Sequence, residues 1–268
     1  MSAELQPLNT EDLKTGSTKV DYERLMAEAL TMPGRMGSTY SRFYPYSFGN
    51  QIALWMQRVE GPVATYQRWQ ELGRHVVKGA KAASILRPIM RKVEEEDGEE
   101  TMRVRGFKWV RCIFGIDQTE GEELEPWEPA EWNKERALGA LGIGLTAFKA
   151  MDGDIQGYST GREVAINPVA AYPFKTLFHE LGHVTLGHTT GQQLEEYRAH
   201  RGIKEFQAES VAYLAMHELD ALEQFNAAES RAYIQNWLQG REPSEKHIRE
   251  VFSATDKILR AGREVNGG

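Results

Sequence analysis

The sequence predicts an α+β protein of two domains. Three observations lead there. The chain has 268 residues, 41% of them hydrophobic and 26% charged, which exceeds one typical domain and supplies apolar material for two cores. Two runs rich in β-branched, aliphatic and aromatic residues, 83–93 and 102–116, flank an Asp97-Gly98 pair, a strong short-range hairpin signal. After residue 132 the spacing of apolar residues turns mainly helical.

Taken in order, residues 1–18 are polar and read as a loose lead. "DYERLMAEAL" (21–30) places Leu25, Met26 and Ala29 on one helical side. "SFGNQIALWMQRV" (47–59) is a second helix, with Ser47 as N-cap and Ile52, Trp55, Met56 and Val59 at i, i+3, i+4 and i+7. "TYQRWQELG" (65–73) is a short helix ended by Gly73. The hairpin follows, its acidic tip "EEEDGEE" read as solvated. Segment 117–132, acidic and with two prolines, reads as a linker, so the boundary falls near 125–132. The expected domains are 19–125 and 126–268. In the second, "EWNKERALGALG" is a helix, and "GLTAFKAM" and "EVAINP" are two strands joined by the turn-rich "DGDIQGYSTGR". Helices are expected over Pro173 to Leu186, 203–220, 227–238 and 244–262.

Composition excludes some classes. No run of 18 or more apolar residues exists, so no membrane-spanning helix is expected. The first residues lack the basic-then-apolar order of a secretory signal. The single cysteine, Cys112, rules out an internal disulfide, fits a cytoplasmic protein, and sits in an apolar run that suggests burial. The net charge of −7 hides a split. Between Ser41 and Lys92 nine Lys or Arg face two acids, a segment of +7, which leaves −14 for the remainder. Such asymmetry suggests a polyanion partner for the first part only.

The chemistry concentrates in "FHELGHVTLGH", residues 178–188. His179-Glu180-Leu181-Gly182-His183 is H-E-x-x-H, and on a helix residues four apart share a face, so both imidazoles can address one ion. Glu180 lies one step round, where it can take a proton from a water whose pKa zinc lowers toward ~7. Leu177, Phe178, Leu181 and Val184 mark the helix as largely buried, where two histidines and a glutamate are costly without a purpose. A third ligand is open between His188, Glu205 and Glu209. His188 lies five residues on, about 140° round a helix, and misses by one the H-E-x-x-H-x-x-G-x-x-H pattern. Glu205 follows His183 by 22 residues and Glu209 shares its helical face. In the gluzincin pattern a second helix gives the glutamate ligand at such a distance, and an acid four residues later orients a bound histidine; this favours Glu205 as ligand and Glu209 behind it. For stabilising an oxyanion, Tyr158, Tyr172, Tyr197, His200 and Tyr213 are candidates.

Two resemblances sharpen this reading. Glu205, Ala208 and Ala212 form E-x-x-A-x-x-x-A, which resembles the second-helix motif of the IrrE/ImmA-like metallopeptidases. Carried over by position, that implies His179, His183 and Glu205 as metal ligands and Glu180 as general base. It departs from the family in having Glu209 where Asn or Asp is common. In the basic segment, "YSFGNQ", "WMQ" and then "TYQRWQELGRHVVKGAKAASIL" resemble the N-terminal domain of ArdC-type antirestriction proteins. The block W-Q-x-x-G-R-x-V-x-K-G-x-K is met by Trp69, Gln70, Gly73, Arg74, Val76, Lys78, Gly79 and Lys81, and "FGIDQTEGEEL" resembles the stretch closing that domain. Gly49 and the acidic hairpin at 94–100 depart from the pattern.

The ArdC resemblance implies single-stranded DNA binding by the first domain and a gluzincin-like zinc metallopeptidase fold in the second. Cations interleaved with aromatic rings independently suit single strands, the cations meeting phosphates and the rings stacking on bases. The residues expected at DNA are Tyr46, Asn50, Arg68, Trp69, Arg74, Lys78 and Lys81. The expected cofactor is one Zn2+ per chain, and the same ligands accept Mn2+ or Co2+. The expected function is antirestriction in a phage or mobile element, with a protein substrate such as a restriction component or DNA-bound regulator. The alternatives are an ImmA-like peptidase that cleaves a repressor, and a catalytically silent DNA-binding protein with a structural metal.

Overall fold

The computed structural model describes residues 13–31, 46–59, 61–94, 100–124, 131–149, 155–190, 194–240 and 243–263. The chain forms two compact units. The first comprises Met1–Asp21, Arg42–Tyr46 and Asn50–Trp127, the second Tyr22–Ser41, Ser47–Gly49 and Glu128–Gly268.

The first unit is built on a hairpin of two long strands, β3 (Ala83–Glu94) and β4 (Glu100–Gly115). The short β1 (Val63–Thr65) pairs with β4, giving an antiparallel sheet of order β1-β4-β3. The Asp97-Gly98 turn expected between them lies outside the described residues. Helix α2 (Phe48–Met56) and the residue that follows it present two amides that close the outer edge of β3. Asn50 donates to Leu86 O at 3.0 Å and accepts from Leu86 N at 2.7 Å, and Gln57, just past the helix, does the same with Ser84 at 2.8 Å each way. An edge strand leaves backbone groups unpaired; these side chains satisfy four of them. Beneath lie Leu54, Ala83, Ile85 and Ile113, with Tyr46, Val59, Val63 and Cys112 packed against them. Burial pushes the Cys112 thiol up, as suits a packing residue.

Helix α3 (Tyr66–Glu71) is capped by Thr65, whose hydroxyl accepts from Arg68 N. Gly73, at φ 72°, ends it in the left-handed region. A two-stranded ribbon follows, β2 (Arg74–Val76) with β5 (Thr119–Gly121). The expected acidic linker therefore begins as structure, since a 3-10 turn, Ile116–Gln118, leads into β5.

The second unit is mainly helical. Helix α1 (Tyr22–Thr31), within the stretch assigned to the first domain from sequence, packs here on the two C-terminal helices through Leu25, Met26, Ala29 and Leu30. Helix α4 (Lys134–Leu141) is capped by Asn133 and ended by Gly142 at φ 61°. Then come β6 (Gly144–Leu145), β7 (Gly157–Thr160) and β8 (Glu163–Ile166), in order β6-β8-β7. The sequence reading put strands at 144–151 and 163–168. The first shrinks to two residues, and β7 arises inside the supposed turn-rich connector, because Gly161 and Arg162 make a two-residue hairpin loop. Four helices follow: α5 (Pro173–Thr185), α6 (Leu194–Glu218), α7 (Ala227–Gln239) and α8 (Glu245–Gly262). Helix α6 starts nine residues earlier than expected. Its Gly202 is accommodated because the Trp237 ring fills the space a Cβ would take. Among the described residues no helix is long and apolar enough to cross a membrane.

Candidate metal centre

Helix α5 opens with Pro173, which needs no backbone donor in the first turn. Its Leu177, Phe178, Leu181 and Val184 are buried, and Phe178 stacks against Trp132 and Phe174. The remaining face carries His179 and His183. Helix α6 lies against α5 at Gly182, where an added Cβ would sit 3.3 Å from Ala208 Cα and from Val211 Cβ. This close approach, allowed by a glycine meeting the first alanine of E-x-x-A-x-x-x-A, brings Glu205 up to the histidines.

Three donors converge. His179 Nε2 and His183 Nε2 are 3.1 Å apart. Glu205 places Oε2 3.3 Å from the former and Oε1 3.8 Å from the latter. One ligand atom from each of His179, His183 and Glu205 lies within 4.8 Å of the other two. Glu209 faces elsewhere. Its Oε2 accepts from His179 Nδ1 at 3.1 Å and Lys175 Nζ at 2.7 Å, and its Oε1 accepts from Ser230 Oγ at 2.5 Å. Both oxygens are thus occupied, and Glu205 is the carboxylate that shares a point with both Nε2 atoms.

The electrostatics fit a cation. Burial disfavours charge on His179, yet hydrogen bonds and charge from Glu205, Glu209 and Glu180 outweigh it and raise its pKa to about 9. Burial would raise Glu205, but the two histidines hold it well below the usual carboxylate range. Against the same effect of burial, His179, Lys175 and Ser230 lower Glu209 to about 2. The cluster therefore holds a proton among two carboxylates and an imidazole. A divalent ion answers the same field more strongly, and a borderline nitrogen-and-carboxylate set suits zinc and its neighbours.

Glu180 is 6% exposed and accepts from Ser159 Oγ at 2.7 Å. Ser159 reaches it because β7 runs against α5 at Gly157, where a Cβ would meet Thr176 Cγ2 at 2.7 Å, and two residues on the side chain again faces the helix. Sequence reasoning missed Ser159, Lys175 and Ser230, since each lies on a separate element with no motif of its own. It also set His188 aside. The helix ends at Thr185, Gly187 takes φ 77°, and the chain turns back so that His188 Nδ1 lies 3.0 Å from His183 Nδ1. Burial and His183 beside it lower His188 to about 4.

A cleft of about 440 Å³ adjoins the cluster, walled by Tyr172, Phe225, Asn226, Glu229 and Tyr233. Of the oxyanion candidates, Tyr172 lies in this cleft. Tyr213 is fully buried and bound by Arg231 Nε at 3.1 Å, and Tyr158 points its hydroxyl toward Ala147 O. The side chains of Tyr197 and His200 lie outside the described residues.

The residues expected at DNA separate into two groups. Asn50 is buried against Leu86, as above. Trp69 is 1% exposed and donates from Nε1 to Phe114 O at 2.9 Å. Arg74 binds Thr119 through Nε at 2.8 Å and Nη2 at 3.1 Å, and its Nη1 donates to Gly121 O and Glu122 O. These three hold the domain together. Tyr46 is half-buried on the core, and desolvation pushes its pKa up to about 12. Lys78 and Lys81 are exposed, and Arg68 is exposed beside Glu71 at 3.1 Å.

Fold and cluster together define an α+β protein with a His-His-carboxylate centre able to hold a divalent cation. Residues 11–125 match the family described as the N-terminal domain of anti-restriction factor ArdC. The chain is also similar to the antirestriction ArdC protein of plasmid R388. To its metal-free crystal structure the identity is 21% over 90% of this chain and 94% of that one, with a TM-score of 0.52. To its Mn(II)-bound structure the identity is 18% over 93% and 100%, with a TM-score of 0.52. No curated protein matches. Residues 11–125 thus match the ArdC N-terminal domain by sequence, and the chain along most of its length is similar in fold to the R388 protein.

Proposed function

We propose that this protein is an antirestriction factor whose first unit grips single-stranded DNA and whose second unit is a metal-dependent peptidase. The observation that carries the second half is the convergence of His179, His183 and Glu205 beside a buried, hydrogen-bonded Glu180. His179, His183 and Glu205 would hold the ion, which when bound supplies a Lewis acid for a peptide carbonyl and acidifies a water. Glu180 takes the proton of that attacking water and then passes it to the departing amine. Ser159 holds the carboxylate in place for both transfers. Tyr172, at the mouth of the cleft, stands where it can steady developing negative charge.

Support for the first half comes from exposed cations. On the hairpin, Arg87 stands opposite Lys108 and Arg91 opposite Arg103, and all four are exposed. Like charges directly across a ladder oppose pairing, and phosphates would attract all of them. Met90, Met102 and Val104 are exposed on the same arm. Within the same unit a cleft of about 600 Å³ sets Arg58, Lys81 and Arg111 around Leu13, Met56 and Val59. Cations over an apolar floor suit phosphate and base together. Lys78 and Lys81 are the exposed motif cations for such contacts, with Arg68, paired to Glu71, beside the motif.

The ArdC protein of plasmid R388 is antirestrictive, and one of its structures carries Mn(II); both facts favour the same reading here. The test is protection of incoming DNA in a restricting host by wild type, Glu180→Gln and the Lys78→Ala/Lys81→Ala pair. Loss of protection in all but wild type supports the proposal. Full protection by Glu180→Gln reduces the protein to a DNA-binding factor with a structural metal. Cleavage of a protein target at an equal rate without DNA makes it a repressor-cleaving peptidase instead.

A further inference from the structure

We infer that His188 and Gln207 form a hydrogen-bond relay that fixes which nitrogen His183 presents to the metal, with its direction set at Glu250. The inference rests on the metal-site half of the proposed function.

Each link has one allowed polarity. The Glu250 carboxylate, on α8 with Lys246 Nζ 3.8 Å from Oε1, is an acceptor. Gln207 Nε2 lies 3.0 Å from Glu250 Oε2 and 3.2 Å from His247 O. Two acceptors at that end make it the amide NH2, so Oε1 is the accepting end. Oε1 is 3.1 Å from His188 Nε2, which must therefore carry a hydrogen. A neutral imidazole has one, so His188 Nδ1 bears a lone pair. That lone pair faces His183 Nδ1 at 3.0 Å, which must donate. His183 Nε2 is left bare, 3.1 Å from His179 Nε2 and 3.8 Å from Glu205 Oε1. Reversing any link sets two hydrogens or two lone pairs against each other. It also places a hydrogen on the nitrogen that should face the ion.

The relay is built into the fold. Gly187 at φ 77° lets the chain reverse after α5, and His188 N then donates to His183 O at 2.9 Å. Thr189 Oγ1 ties the following residue to Gly161 O at 2.5 Å. Gln207 is 3% exposed, two residues past Glu205 on α6. The two histidines are thus oriented differently: His179 directly by the carboxylate of Glu209, His183 through a neutral chain of two side chains. His188 and Gln207 are positioning residues and touch no substrate.

The test uses the whole chain labelled with 15N-histidine and titrated with Zn2+ alone. Long-range proton–nitrogen spectra of the zinc-loaded protein should show His188 protonated on Nε2 only and His183 carrying its hydrogen on Nδ1. In parallel, His188→Phe should weaken Zn2+ binding about 10- to 100-fold and Gln207→Leu about tenfold. The double variant should be no weaker than His188→Phe alone, since one chain is broken once. A His188 hydrogen on Nδ1, undiminished affinity in His188→Phe, or additive losses would overturn the relay. The wild-type spectrum decides even if a variant fails to fold. Failure of the wild type to take up zinc would instead remove the metal site, and the relay with it.

Discussion

The two units use buried and half-buried polar side chains in opposite ways. In the first, Asn50, Gln57, Trp69 and Arg74 direct their donors and acceptors at the chain's own backbone or at Thr119. In the second, His179, His183 and Glu205 direct theirs at one another, which leaves three ligand atoms around one point. Buried polar groups are normally satisfied. A side chain that satisfies a strand edge is architecture. A set that faces itself can share a proton or, as we propose, a metal ion. The difference teaches that the match to a motif does not say which of the two a residue does.

That contrast can be broken from either side. The largest effect should come from Glu180→Gln, with a fall of about 10²- to 10⁴-fold in cleavage rate while metal content stays near wild type. Equal losses of rate and metal would make Glu180 part of the metal cradle. Next, Trp69→Ala should cost about 3–5 kcal/mol of stability in the first unit, and Asn50→Ala about 1–3 kcal/mol by orphaning Leu86 N and O, both seen in denaturant midpoints. At a temperature where these variants stay folded, their affinity for a single-stranded oligonucleotide should match wild type. A selective loss of affinity would return both residues to the DNA surface.

The metal-free protein should show the self-facing cluster in its pH profile. The raised His179 contributes stability that is full below 6.5 and lost as pH rises through about 9. The lowered Glu209 contributes stability that is full above 4.5 and lost as pH falls toward about 2. Thermal melts in chelator should therefore peak between these limits, and Glu209→Gln should flatten the acid side. The smallest effects belong to Lys78→Ala and Lys81→Ala. Each should weaken oligonucleotide binding at every sequence, reduce the salt slope by about 1, and leave the melting midpoint within experimental error.

Much of this was legible in the residues. The helical spacing of 173–186 and 244–262, the hairpin runs and H-E-x-x-H all depend on local periodicity, which a sequence displays. Glu205 was reachable because its spacing and alanines repeat a pattern. What stayed hidden depends on chain reversals and on elements meeting. β7 looked like loop because Gly157, Gly161 and polar Ser159 suggest turns, yet Gly157 lets the strand lie on α5 and Gly161 turns it into β8. His188 was set aside on its spacing and read as a helix-end or surface histidine, and spacing does not show where the chain turns after Gly187. The eight-position block around Trp69 signals the ArdC-type domain through the turns and ties it needs, so it names the fold more directly than the DNA contacts.

The central claim is a divalent metal held by His179, His183 and Glu205, with Glu209 behind His179. The most direct measurement is Zn2+ titration by calorimetry of wild type, Glu205→Gln and Glu209→Gln, each first stripped with chelator. One ion per chain is expected. Glu205→Gln, which removes a ligand, should lose affinity more severely than the roughly 10- to 100-fold expected of Glu209→Gln, which removes only an orienting partner. No stoichiometric uptake by wild type, or a greater loss in Glu209→Gln than in Glu205→Gln, would contradict the account.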